Sequence, residues 1–173
     1  MSKILLHEYD EEESSIITQT SLGTPINNSQ GKVLLKSEEA IAQSFEKSFE
    51  SVFQGSSSPI YNCHGLTFAS RRTGIYETSE VWKIIREEYV PIKSEKDVIE
   101  GDVAICFSED EREILHSGIV TYSDQSSALP NIKIISKVLK GREIVHKPQV
   151  GPYFKGIIKY FRIGHQIKVT KTS

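Results

Sequence analysis

The hydrophobic period of this chain changes once, near Ile99, and that change restricts its fold more than any other feature. Before it, apolar residues recur at helical spacing; after it, they alternate. Ser37-Glu38-Glu39 reads as a helix start, with Ser as N-cap and acids in the first turn. Ile41, Phe45, Phe49 and Phe53 follow four residues apart, as one apolar stripe facing a core, and Gly55-Ser56-Ser57-Ser58-Pro59 breaks that helix. A second helix is expected over 63–73, with Arg71 and Arg72 at its end and Gly74 as a left-handed cap. A third is expected over 79–88, with Val81, Trp82, Ile84 and Ile85 inward and Pro91 as its stop. Beyond Ile99, Val103, Ile105 and Phe107 alternate, and further strands are expected over 114–122, 132–139, 143–146 and 156–162. Helices first and about five antiparallel strands afterwards is the α+β pattern.

At 173 residues the chain has the length of one domain. Residues 1–36, with the acidic run Asp10-Glu11-Glu12-Glu13, read as a polar and partly irregular lead-in, possessing at most a short strand at Ile4-Leu5-Leu6. Residues 37–173 read as the single domain proper. A net charge of −2 supplies no basic field, so nucleic acid is not an expected partner. No apolar run reaches the ~18 residues that a membrane helix needs, so no membrane association is expected. The start, Met1-Ser2-Lys3-Ile4-Leu5-Leu6-His7-Glu8, lacks a secretory h-region. The expectation is a cytoplasmic protein, with export by a dedicated secretion route as the alternative. Two cysteines without a Cys-x-x-Cys pair, and five scattered histidines, predict free thiols, no metal site and no cofactor.

The chemistry concentrates at Asn62-Cys63-His64-Gly65, which opens the second helix. Unpaired amides and the positive dipole end at a helix start favour an anion, so the Cys63 thiol is expected to have a lowered pKa and to react near pH 6. Nucleophilic thiol catalysis also needs an imidazole within reach and a polar group that fixes it. His116 opens an apolar strand 53 residues downstream, and Glu100-Gly101-Asp102 precedes the strand between them. Cys106 reads as structural, and His64 as a solvent-facing helix residue.

Between Tyr61 and Tyr122 these elements resemble the NlpC-type branch of the papain-like cysteine peptidases and amidases. Asn62-Cys63-His64-Gly65-Leu66 is similar to that family's Asp-Cys-Ser-Gly-Leu, and His116-Ser117-Gly118-Ile119-Val120 to its His-Val-Gly-Ile-Tyr. Glu100-Gly101-Asp102 resembles its Pro-Gly-Asp. Asn62 stands where the family has Asp, and His64 where it has Ser. The resemblance implies a papain-like fold and a hydrolase that cleaves peptide or amide bonds, typically in bacterial cell-wall peptides, through a thioester. Cys63 would be the nucleophile and His116 the base. The family's third residue, a His on the next strand, has no counterpart there. Ser136, which shares the parity of Ile132 and Ile134, is the choice, with His146 in reserve. The Cys63 amide, with Tyr61 or Asn62, would supply oxyanion or substrate contacts. The expected partner is a peptide or peptidoglycan-like substrate. The alternatives are an unpermuted papain-like acyltransferase, an intracellular protease, and an inactive papain-like domain kept for binding.

Overall fold

In the computed structural model, residues 14–47, 52–150 and 156–164 are described, without the side chains at 45, 52 and 53. Three helices, α1 (Lys36–Glu46), α2 (Cys63–Phe68) and α3 (Thr78–Glu88), precede most of the strands. The strands are β1 (Val52–Gln54), β2 (Tyr89–Ile92), β3 (Val103–Phe107), β4 (Ile114–Asp124), β5 (Asn131–Lys137), β6 (Glu143–His146) and β7 (Ile157–Ile163). All pair antiparallel in one open sheet, in the order β1-β6-β5-β4-β3-β7-β2. The α+β class holds, but the sheet has seven strands where five were expected. The two missed strands, β1 and β2, are short edge strands, and β2 carries Pro91. A proline suits an edge because it has no N–H to donate.

Directly paired residues share a face of a sheet. Val103, Ile105, Phe107 and Phe161 lie on one face, where Val81, Ile84 and Ile85 of α3 cover them. Trp82 packs on Phe107 at 5.4 Å between ring centroids, and Phe107 on Phe161 at 6.2 Å. Ala104, Val120, Ile134 and Tyr160 form a second cluster on the opposite face, under Val98. Asp102 is buried and closes the β3–β7 region through a two-point pairing with Arg162, at 2.8 Å from both Nε and Nη2.

The helices depart from their sequence-based bounds for local reasons. α2 ends at Phe68, five residues early, because Ser70 and Arg71 take positive φ (50° and 65°) and turn the chain back. Gly65 permits that return: a Cβ there would meet the Thr73 carbonyl oxygen at 1.9 Å. Gly74 is not the cap; it bridges to Ser29 of the lead-in. Among the α1 side chains described, Ala42 and Glu46 are buried, and Ile41 is 49% exposed. Phe53 belongs to β1, and Phe49 lies outside the described residues, so the four-residue stripe is not one helical face. Two ion pairs hold α1 on the β5–β6 turn, Glu38 with Lys140 and Glu46 with Arg142, each at 2.9 Å. The described part of the lead-in, from Ser14 on, is irregular with isolated bridges. Its Asn27 amide is held by Glu80 of α3 at 2.9 Å. Ile4-Leu5-Leu6 and the acidic run lie outside the described residues. Among the described residues no helix is long and apolar enough to cross a membrane.

Candidate active site

The β4–β5 pairing stops at Gly118↔Ser136, and α2 delivers Cys63 at that point. Asn62 is the reason α2 starts where it does. Its Oδ1 accepts from the Gly65 amide at 2.9 Å and the Ile75 amide at 3.1 Å, and its Nδ2 donates to the Ile75 carbonyl at 2.6 Å. The side chain is therefore an N-cap and a loop tie, and both of its polar atoms are engaged inside the fold. Tyr61 is engaged as well. Its hydroxyl donates to Glu143 at 2.6 Å, and burial followed by that carboxylate pushes its pKa up to about 12. Neither side chain turns its polar atoms to the thiol.

Cys63 is half-buried, and its thiol receives the backbone N–H of Ser117, the residue after His116. Burial dominates its titration and pushes the thiol up to about 11, against the pull of the Ser117, His64 and Cys63 amides and of Lys137. The expected lowering does not occur. A helix of six residues has a weak dipole, and the cost of an ion in a dehydrated site exceeds it. At neutral pH about one thiol in ten thousand is then ionised, so a base must take the proton during reaction.

His116 is buried in β4, and its imidazole is held neutral well below the ordinary range, first by burial and then by the neighbouring His64 and His146. It shares a cavity of about 490 Å³ with Cys63. Because Gly118 pairs with Ser136 and Ile134 with His146, the side chains of His116, Ser136 and His146 occupy one face of the sheet. The two candidates for the third position are joined to each other: Ser136 Oγ and His146 Nε2 are 2.7 Å apart. His146 Nδ1 lies 2.7 Å from the Lys147 carbonyl, which can only accept, so Nδ1 carries the proton. Nε2 therefore accepts from Ser136, and the Ser136 oxygen keeps lone pairs on the face that His116 shares.

His64 is buried, not solvent-facing as its helix position suggested. A directed chain runs from it. Its Nδ1 donates to Ser117 Oγ at 2.8 Å, Ser117 donates to Thr67 Oγ1 at 3.0 Å, and Thr67 donates to the Cys63 carbonyl at 2.8 Å. The carbonyl at the end fixes every direction in the chain. Burial lowers His64 to about 4, so it is neutral across the physiological range. Cys106 is buried in β3 with its thiol raised by burial, as a structural cysteine should be.

Lys137, which sequence reasoning passed over, lines the same cavity and is only 1% exposed. Its ammonium donates to the Gly141 carbonyl and sits 4.5 Å from the centroid of the Tyr61 ring. Burial lowers it to about 8, with Glu143, Glu46 and Cys63 opposing, so the cation still predominates at neutral pH. The parity of Ile135, buried on the same face of β5, was the one available signal that this face is covered. Among the described residues no cluster of three or more His, Cys, Asp or Glu could hold a metal ion. A comparison with protein-family models finds no match, and neither does a comparison with curated proteins or with solved structures.

Proposed function

We propose that the chain is a cysteine hydrolase of papain-like, NlpC-like type that cleaves a peptide or amide bond through a thioester. The observation that carries this reading is that Cys63 and His116 line one cavity, with the Ser117 amide already on the thiol. Cys63 Sγ attacks the carbonyl carbon while neutral His116 takes the S–H proton. The carbonyl oxygen becomes an oxyanion, to which the Cys63 amide would donate. Collapse expels the amine, which leaves with the proton from His116, and the acyl group stays on sulfur. A water molecule, deprotonated by His116, then adds to the thioester; the acid leaves and the thiol is restored.

Ser136 donates to His146 and shares the sheet face of His116, so its remaining lone pairs are available to the His116 ring; the orienting element would be a hydroxyl backed by a second imidazole. This accounts for the absence of a carboxylate at the third position. The pairing of a neutral thiol with a neutral imidazole suits a site that ionises only once substrate has displaced water. A cell-wall peptide is the first substrate to try, with an intracellular peptide or protein conjugate as the alternative and acyl transfer as a variant of the second step.

The test is incubation with muropeptides and peptide conjugates, reading new amine termini by mass spectrometry, alongside alkylation by iodoacetamide across pH. Cys63 should label before Cys106 in the folded protein, with a rate that climbs about ten-fold per pH unit from pH 7 to 10. Labelling of Cys63 only after unfolding would sink the catalytic reading. Cys63 that labels readily in protein that cleaves no muropeptide would move the substrate to the intracellular class.

A further inference from the structure

We propose that the cavity beside Cys63 carries an anion subsite at Lys137 and selects substrates with a carboxylate close to the scissile carbonyl. The inference rests on the thiol reading of Cys63 and adds the class of substrate to it. Among the described residues, the other buried charges are matched. Glu143 accepts from Arg71 at 2.6 and 3.0 Å, Glu46 from Arg142 at 2.9 Å, and Asp102 from Arg162 at 2.8 Å. Lys137 is the exception: among the described residues no carboxylate lies within ion-pair distance of its ammonium. Burial makes this cation costly, the Gly141 carbonyl and the more distant Glu143 and Glu46 offset only part of that cost, and the cavity that Lys137 lines is where a ligand can supply a closer anion.

The rest of the lining agrees. Glu38 and Lys140 neutralise each other at 2.9 Å, and both His64 and His116 are neutral, which leaves one net positive charge. Ile41, Ile114, Leu115 and Leu139 make most of the remaining wall apolar. One ammonium without an arginine or an amide nest fits a monoanion better than a phosphate. The ligand is then an acyl group with an apolar body and a single carboxylate, held so that its carbonyl faces Cys63.

Two alkylating agents of nearly equal size separate this from a simple effect on the thiol. Iodoacetate carries the carboxylate and iodoacetamide does not. Cys63 should react faster with iodoacetate, and Lys137→Met should lower the iodoacetate-to-iodoacetamide rate ratio about ten-fold, the effect of one charge-assisted contact, while Lys137→Arg keeps it. A fall in both rates with an unchanged ratio means that Lys137 acts only on the thiolate, and overturns the subsite. The second arm does not depend on Cys63 reactivity or on the Met variant folding. In Cys63→Ala protein, hexanoate should raise the melting temperature and hexanamide should not; equal effects, or none, overturn the proposal. Failure of Cys63 to label with either reagent, with hexanoate still stabilising, would instead defeat the thiol reading and leave the subsite standing.

Discussion

The two halves of the sheet bury their polar groups on opposite terms. In the β3–β7–β2 half, α3 seals an apolar layer of Trp82, Phe107 and Phe161, and the buried carboxylate, Asp102, is clamped by Arg162. In the β4–β5–β6 half, His116, Ser117, Ser136, Lys137 and His146 are all buried within a few positions of one another, beside a cavity. The first arrangement contributes stability. The second spends part of it on groups whose titration is displaced by burial, which is how candidate functional sites are recognised physically. Every imidazole in the polar half is driven toward the neutral form, and the thiol with them.

Substitutions sharpen this contrast. The largest effect belongs to Cys63→Ala, which should remove turnover entirely and leave the melting temperature within a degree or so of wild type, since the residue is only half-buried at a cavity wall and the change removes a single atom. A large melting shift would make Cys63 a core residue and break the division. Phe107→Ala removes the ring between Trp82 and Phe161, and should cost about 3–5 kcal/mol in denaturant titration. If stability survives and only activity falls, the frame is not where it is placed here.

Acid should find the polar half first. His64 is lowered to about 4 from 6.5, and His116 and His146 shift the same way, so below their ordinary range the unfolded chain binds more protons than the folded one. Stability is therefore complete above about pH 6.5 and falls as pH drops toward 4, by on the order of 2–3 kcal/mol from His64 alone. His64→Gln should flatten the pH dependence of the denaturation midpoint; an unchanged slope would contradict the buried neutral imidazole. Ser136→Ala has the smallest expected effect, about 1–2 kcal/mol for the lost bond to His146, together with slower Cys63 alkylation at neutral pH. A silent Ser136→Ala with a severe His146→Ala would transfer the orienting role to His146.

How much was legible follows from the range of the interactions. α3, the strands from β3 onward, the helix start at Cys63 and the turn before β3 were readable because each is set by period and capping within a few residues. The end of α2 was not, because its Gly65 and Thr73 meet only after the loop turns back. The α1 stripe misled because an apolar repeat names residues that avoid water, not the wall they avoid it against. Ile41 lines the cavity instead of the core.

The sequence by itself determined the class of fold, the order of its helices and of the strands from β3 onward, and the pair Cys63 and His116 as the residues to watch. Tertiary structure alone decided their electrical state and their company. The thiol is raised and not lowered because dehydration, a property of the assembled site, outweighs a six-residue dipole. Ser136 and His146 proved to be two ends of one hydrogen bond because β5 and β6 pair in a register that brings their side chains to the same face. Lys137 reads as an ordinary solvated lysine in Ile-Lys-Ile-Ile-Ser-Lys until Tyr61, α2 and the Gly141 turn close over it. Local pattern fixes which way a side chain points; only packing fixes whether water is there to meet it.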